Sequence, residues 1–222
     1  MNSGSQPEAT TALAVLKGAN AREEALAFMR ELERRPVHVE HVARLAGQLF
    51  DELAELHGLG PRERLLLEAA ALLHDIGQGA DPFAEEHHHR SARLIRERRW
   101  THFTPQEVEI FAQVARYHRK AMPEMAHDEF RALPAWDRRV VQRLAALLRL
   151  ADSFDRTHQQ LVRQVRVEVR PNQLIFHLDV KGPPLREVKS AHGKGDLAQA
   201  VFQRDLVFMV GNEVIAPPSA DP

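Results

Sequence analysis

No cysteine occurs among the 222 residues, which excludes disulfides, thiolate nucleophiles and Cys-ligated zinc and leaves histidine and carboxylate as the available metal ligands. Neither sign of charge is in surplus. The 30 Lys and Arg against 31 Asp and Glu give a formal charge of -1. There is thus no general basic field of the kind that draws proteins to nucleic acid or anionic membrane, although local basic clusters could bind phosphate. Neither nucleic acid nor membrane is expected as a partner. No apolar run reaches the roughly 18 residues of a membrane span, and Met1–Gln6 lacks the basic-then-apolar pattern of a secretion signal, so a cytoplasmic location is the expectation. Internal repeats and heptad arrays are missing too.

Hydrophobic residues make up 44% of the chain and histidine occurs 13 times. That length and composition support one substantial core with room for a small second unit. Apolar periodicity broken by Gly and Pro predicts helices over about 11–34, 38–57, 61–75, 86–98, 104–118 and 137–158. From residue 161 the period changes. Val165, Val167 and Val169 alternate with charged residues, then Pro171-Asn172 leads into Leu174–Leu178, the pattern of a β-hairpin. A short helix near 185–202 and a third strand at 206–210 follow. The expectation is a mainly α protein: a mobile N-terminus (1–10), a helical unit (11–160), a small α+β appendage (161–212) and a mobile Pro-rich end (213–222).

The pair His74-Asp75 closes the apolar run Leu65–Leu73, and ionisable groups at the end of a core helix need a partner, for which a bound cation is the first candidate. Two other helices aim similar groups inward. Val42, Leu45, Ala46, Leu49, Phe50, Leu53 and Leu56 form one stripe, and His38 falls inside its edge, while His41 sits roughly 60° further out, at the rim. On the last long helix Val141, Leu144, Ala145 and Leu148 define a core face that Asp152 continues at i+4. Taken singly, His38 also reads as a hydrogen-bonded core histidine, and Asp152 as a partner of Arg149 or Arg156. Together the four form a set of two imidazoles and two carboxylates suited to a divalent ion, with Mn, Mg, Ni, Fe and Zn not distinguished.

The order His38, His74-Asp75, Asp152 on helices resembles the HD superfamily of metal-dependent phosphohydrolases, and Leu72-Leu73-His74-Asp75-Ile76-Gly77 matches its signature. His57-Gly58-Leu59, Ala115–Lys120 and Leu148–Arg156 look like the HD-type C-terminal region of the Ppx/GppA exopolyphosphatase family, a likeness running from about Val37 to Val210. It implies an HD-type helical bundle with an α+β end. The implied activity is a phosphohydrolase cleaving a phosphoester or phosphoanhydride of a small phosphorylated compound, a nucleotide above all, by attack of metal-bound water on phosphorus. His38, His74, Asp75 and Asp152 would hold the metal, with Asp75 also orienting the water as the catalytic residue. Arg116, Arg119, Lys120 and Arg149 would be the phosphate-binding candidates, each with a plain surface charge as its alternative. Homodimerisation is a further expectation by family analogy.

Family members begin with two actin-like domains that carry their phosphatase site. The 222 residues leave no room for these or for their Gly-rich phosphate loop, so polyphosphatase activity is not expected to carry over. Where some HD hydrolases place a Glu or Lys three residues after the Asp, Gln78 stands here, able to hydrogen-bond but not to take a proton. Glu68, two turns before Asp75, is a candidate supporting carboxylate or else a buried ion-pair partner. The run His87-His88-His89 cannot aim all three rings at one ion, since successive helical residues diverge by about 100°. His118 is the better second-metal candidate, with His88 or His89 beside it, and a single ion is favoured. Two other functions stay open: a non-catalytic HD module for phosphate or nucleotide sensing or dimerisation, and a di-iron HD oxygenase, which would need the extra histidines.

Overall fold

The computed structural model describes the backbone of residues 6–78 and 86–216 and the side chains from residue 17 onward. Of the ends expected to be mobile, residues 1–5 and 217–222 lie outside that range.

Among the described residues eight helices come first: α1 (Gln6–Leu32), α2 (Pro36–Glu52), α3 (Ala54–His57), α4 (Pro61–Leu73), α5 (His87–Glu97), α6 (Pro105–Arg116), α7 (Asp128–Ala132) and α8 (Ala135–Ser153). Proline opens α2, α4 and α6 at a position where the missing N–H costs nothing. Thr104 adds a reciprocal cap with Glu107 at the start of α6. The helix expected over 38–57 breaks at Leu53, and the left-handed Gly58 (φ 61°) ends α3. Because α4 stops at Leu73, His74–Gly77 form a turn rather than a last helical turn.

The appendage is a four-stranded sheet, β1 (Val162–Val169), β2 (Gln173–Val180), β3 (Asp205–Val210) and β4 (Glu213–Val214), in that spatial order. β1 and β2 pair antiparallel as the hairpin expected. β2 and β3 run parallel, which requires a crossover, supplied by α9 (Leu185–Lys194) and α10 (Asp196–Phe202). The single helix expected over 185–202 is therefore two, divided at Gly195. The protein is mainly α with a small α+β end.

One apolar cluster runs through both parts, from Ala21 to Phe208. At the junction Phe154 meets Phe176 and Phe208 at centroid distances of 6.3 and 5.9 Å. The outer edge of β1 lies against α2, whose side chains satisfy its backbone: His41 Nε2 donates to Val162 O (2.9 Å), Arg44 donates to Arg163 O, and Gln48 and Glu52 accept from Val165 and Val167 N–H. An edge strand covered in this way cannot template pairing with another chain. His41, placed at the helix rim by its phase, acts there as a strand partner.

Among the described glycines of the helical part Gly77 is the most tightly packed. A Cβ there would collide with the carbonyl of His87 and lie 2.6 Å from Ser91 N, and Gly77 N–H already donates to Ser91 Oγ at 2.9 Å. Gly77→Ala is expected to destabilise the fold by about 1–3 kcal/mol through overpacking, measured as a lower denaturant midpoint; an unchanged midpoint would show that α5 can move away at no cost.

Candidate metal centre

His38 sits in the first turn of α2, His74 and Asp75 just past the end of α4, and Asp152 in the last turn of α8. The three helices pack against one another through apolar faces, so the ends that carry these groups converge. His38 and His74 Nε2 lie 3.5 and 3.7 Å from Asp152 Oδ1, and one ligand atom from each of the three residues falls within 4.8 Å of the others. Two ligands about 2.1 Å from a shared tetrahedral ion lie about 3.4 Å apart, so the spacing suits one.

Hydrogen bonds fix the tautomers. His74 Nδ1 is 2.7 Å from Ala71 O and His118 Nδ1 is 2.7 Å from Ala115 O. A carbonyl only accepts, so both rings donate through Nδ1 and turn an Nε2 lone pair inward. His38 Nδ1 meets the buried carboxylate of Asp155 at 2.8 Å, which leaves its Nε2 facing Asp152. Metal-binding histidines characteristically show this arrangement, with the far nitrogen held by a carbonyl or carboxylate. His74 Nε2 is decisive for fit: it is fully buried and has no hydrogen-bond partner. A lone pair sealed from water and aimed between two carboxylates is costly unless a cation fills the gap.

The electrostatics point the same way. Burial opposes the charge on His38, yet the Asp152, Asp155 and Asp75 carboxylates overcome it and raise its pKa from 6.5 to about 9. His74 is also raised against its burial by Asp75 and Asp152. For Asp75 burial favours the neutral acid, but the neighbouring His74, His118 and His87 bring it to about 2. Asp152 is held well below the carboxylate range despite burial, chiefly by Lys194 and the two histidines. The pocket therefore draws positive charge strongly, a demand that a divalent cation satisfies.

A second group shares His74. His74, Asp75 and His118 also offer ligand atoms within 4.8 Å of one another, and His87 Nε2 stands 3.4 Å from both Asp75 Oδ1 and His118 Nε2. His87 is thus the member of the histidine run that faces the centre. His88 and His89 group instead with Glu86, and His88 Nε2 lies 3.2 Å from Glu86 Oε2.

The other candidates separate by position. Arg149 is buried and binds Lys194 O (3.0 Å) and Asp196 (2.7 Å), clamping α8 to the appendage. Arg149→Ala is expected to cost about 2–4 kcal/mol, read from the melting curve, whereas a change confined to substrate affinity would return it to the phosphate-binding set. Arg116 pairs with Glu129 (3.0 Å) and Lys120 with Glu86. Arg119 reaches His87 at 3.4 Å. Glu68 pairs with Arg22 of α1 at 2.6 Å, and Gln78 accepts from Arg35.

Four residues around the centre escaped the sequence reading. Arg35 lies 3.1 Å from Asp75 Oδ2, and Lys194 of α9 touches Asp152. Asp155 orients His38. His158 stacks on the His38 ring at 3.9 Å. Only Asp155 left a signal, as the second acid in Asp152–Asp155 on a helix end.

Residues 24–192 match the family described as Ppx/GppA phosphatase, domain III. The chain belongs to that family. Ppx/GppA proteins are phosphatases that use divalent metals, and the domain III match takes in every residue of the centre except Lys194. Among the described residues no helix is long and apolar enough to cross a membrane.

Proposed function

We propose that the chain is an HD-type metal-dependent phosphohydrolase acting on a small phosphorylated compound, a nucleotide being the expected class. The observation that carries this reading is the buried, unpartnered Nε2 of His74 between Asp75 and Asp152. His38, His74, Asp75 and Asp152 would hold a divalent ion, which would supply Lewis acidity, lowering the pKa of water and drawing charge from phosphoryl oxygens.

The chain's own residues then position the reactants. Asp155 and Ala71 O lock the His38 and His74 rings. Asp75, strongly ionised, is a weak base and serves to accept a hydrogen bond from the attacking water and fix its direction. Arg35 carries a guanidinium 39% exposed beside Asp75, so N–H groups remain for a phosphoryl oxygen. Gln78 accepts from Arg35 and so orients that guanidinium rather than acting as a base. Arg119, next to His87, offers a second cation on the opposite side of Asp75.

A second ion between Asp75, His87 and His118 is supported by the inward Nε2 of His118 and its 3.4 Å approach to His87. The test is a nucleotide and phosphoester panel assayed with Mn, Mg or Ni. Turnover that stops on chelation and returns with the ion is the expected result. Nucleotide binding with no turnover under any ion would overturn the enzyme reading in favour of a sensing module.

A further inference from the structure

Each carboxylate of the centre divides its two oxygens between histidines and a cation. Asp152 Oδ1 lies 3.5 Å from His38 Nε2 and 3.7 Å from His74 Nε2, while Oδ2 accepts from Lys194. Asp75 repeats the pattern. Its Oδ1 lies 3.7 and 3.8 Å from the Nε2 atoms of His74 and His118, and its Oδ2 accepts from Arg35 at 3.1 Å. Each ligand group, His38 and His74 with Asp152 or His74 and His118 with Asp75, thus presents two imidazole nitrogens and a single carboxylate oxygen.

The fold holds both cations in place from further sides. Glu187, Ser190 and Lys194 are spaced so that one face of α9 carries all three. Around the end of α8 they meet Thr157 N–H (3.1 Å), Ser153 Oγ (3.2 Å) and Asp152. The buried Arg149, one turn before Asp152 on α8, donates to Lys194 O at 3.0 Å. Adjacent turns of α8 therefore grip both the backbone and the ammonium of Lys194. A long, flexible side chain loses most of its rotamer freedom under such a double hold, so its placement is set by the packing of α9 on α8. Arg35 is gripped in a like manner: its guanidinium also donates to Gln78 Oε1 and lies 3.5 Å from His158 Nε2.

We propose that Lys194 and Arg35 determine which ion the centre accepts: by holding Oδ2 of each carboxylate they leave one oxygen apiece for the ion, and so select small divalent ions over Ca. The inference rests on the metal-centre reading given under Proposed function. Ca fills a shell of about six to eight oxygens, often by taking both oxygens of a carboxylate, and gains little from imidazole. Smaller ions such as Mn, Ni and Zn accept imidazole nitrogen and need only one oxygen from each carboxylate. Lys194 lies beyond the residues that match domain III, so the appendage of this chain contributes part of the selection.

The test titrates the metal-stripped full chain with MnCl2 and with CaCl2 by calorimetry, in wild type, Lys194→Met, Lys194→Arg and Arg35→Met, each checked for folding by its melting curve. Wild type should bind Mn at least about 100-fold more tightly than Ca. Lys194→Met frees Asp152 Oδ2 and should bind Ca more tightly than wild type does, narrowing the ratio by about tenfold or more. Loss of a positive charge favours both ions alike, so the ratio isolates the freed oxygen. A merely structural role for Lys194 would weaken both ions instead. Arg35→Met should narrow the ratio in the same direction, and Lys194→Arg, which keeps a cation at Asp152, should hold the wild-type value. Equal Mn and Ca affinities in wild type, an unchanged ratio in either folded Met variant, or a ratio as low in Lys194→Arg as in Lys194→Met would overturn the inference and leave the metal centre standing. Binding of neither ion by wild type would remove the centre itself, and the inference with it.

Discussion

Asp75→Ala is expected to lower ion-dependent hydrolysis by roughly 10³-fold or more at saturating substrate, because the change removes a metal ligand and the group that directs the water together. Asp75 faces His74, His87 and His118 through Oδ1 and Arg35 through Oδ2. Asp155→Asn should behave differently. It leaves all four ligands in place and weakens the hold on His38 Nδ1, while the remaining amide oxygen can still accept from Gln160 N–H, so the expected loss is about 10–100-fold in metal affinity or rate. The ordering is the informative part, measured as kcat at saturating ion for both variants. If Asp155→Asn were as damaging as Asp75→Ala, the centre would depend on the carboxylate network itself rather than on a bound ion. If Asp75→Ala retained wild-type turnover, the reaction would lie elsewhere in the chain.

A chelator is expected to lower the melting temperature of the wild-type protein by about 5–10 °C and to leave His38→Ala nearly unaffected. An ion that binds only the native arrangement, present at about 100 times its Kd, stabilises that state by about 2.7 kcal/mol. In a chain of this length 1 kcal/mol corresponds to about 2–4 °C. The site belongs to the folded state alone, since its groups come from α2, the end of α4 and α8, as many as 117 positions apart in the contact of His38 with Asp155. His38→Ala should itself melt lower than wild type in the presence of ion, having lost that increment, and the two proteins should converge once the ion is removed. A wild-type curve indifferent to chelator would speak against a bound ion, and an equal chelator effect in His38→Ala would put the ion elsewhere.

Much of the architecture was legible because it depends on local patterns. Apolar stripes at a 3.6 period set the facing of α2, α4 and α8, and that phase alone turned His38 and Asp152 inward and left His41 at the rim. The alternation of Val165, Val167 and Val169 likewise gave the hairpin. Legibility ended where placement depends on how elements dock. Arg35 precedes α2, and only the packing of α2 beside α4 brings it to Asp75. Lys194 reaches Asp152 across 42 positions because the crossover between two parallel strands lays α9 along α8. Nothing in the run His87-His88-His89 sets the rotation of α5; its packing against α6 turns His87 toward His118 and His88 toward Glu86. Arg149 was expected to meet phosphate, but α8 buries it against the appendage, where its charge is used on Asp196 and on backbone carbonyls.

The inward, unpartnered Nε2 of His74 carries the assignment of a metal centre. Its most direct test is the metal content of the purified, ion-equilibrated full chain, measured by elemental analysis in wild type and His74→Ala side by side. His74 belongs to both the His38–Asp152 group and the Asp75–His118 group, so at least one divalent ion per wild-type chain is expected, and essentially none in a folded His74→Ala variant. A wild type that retains no ion, or a variant that retains as much as wild type, would contradict it.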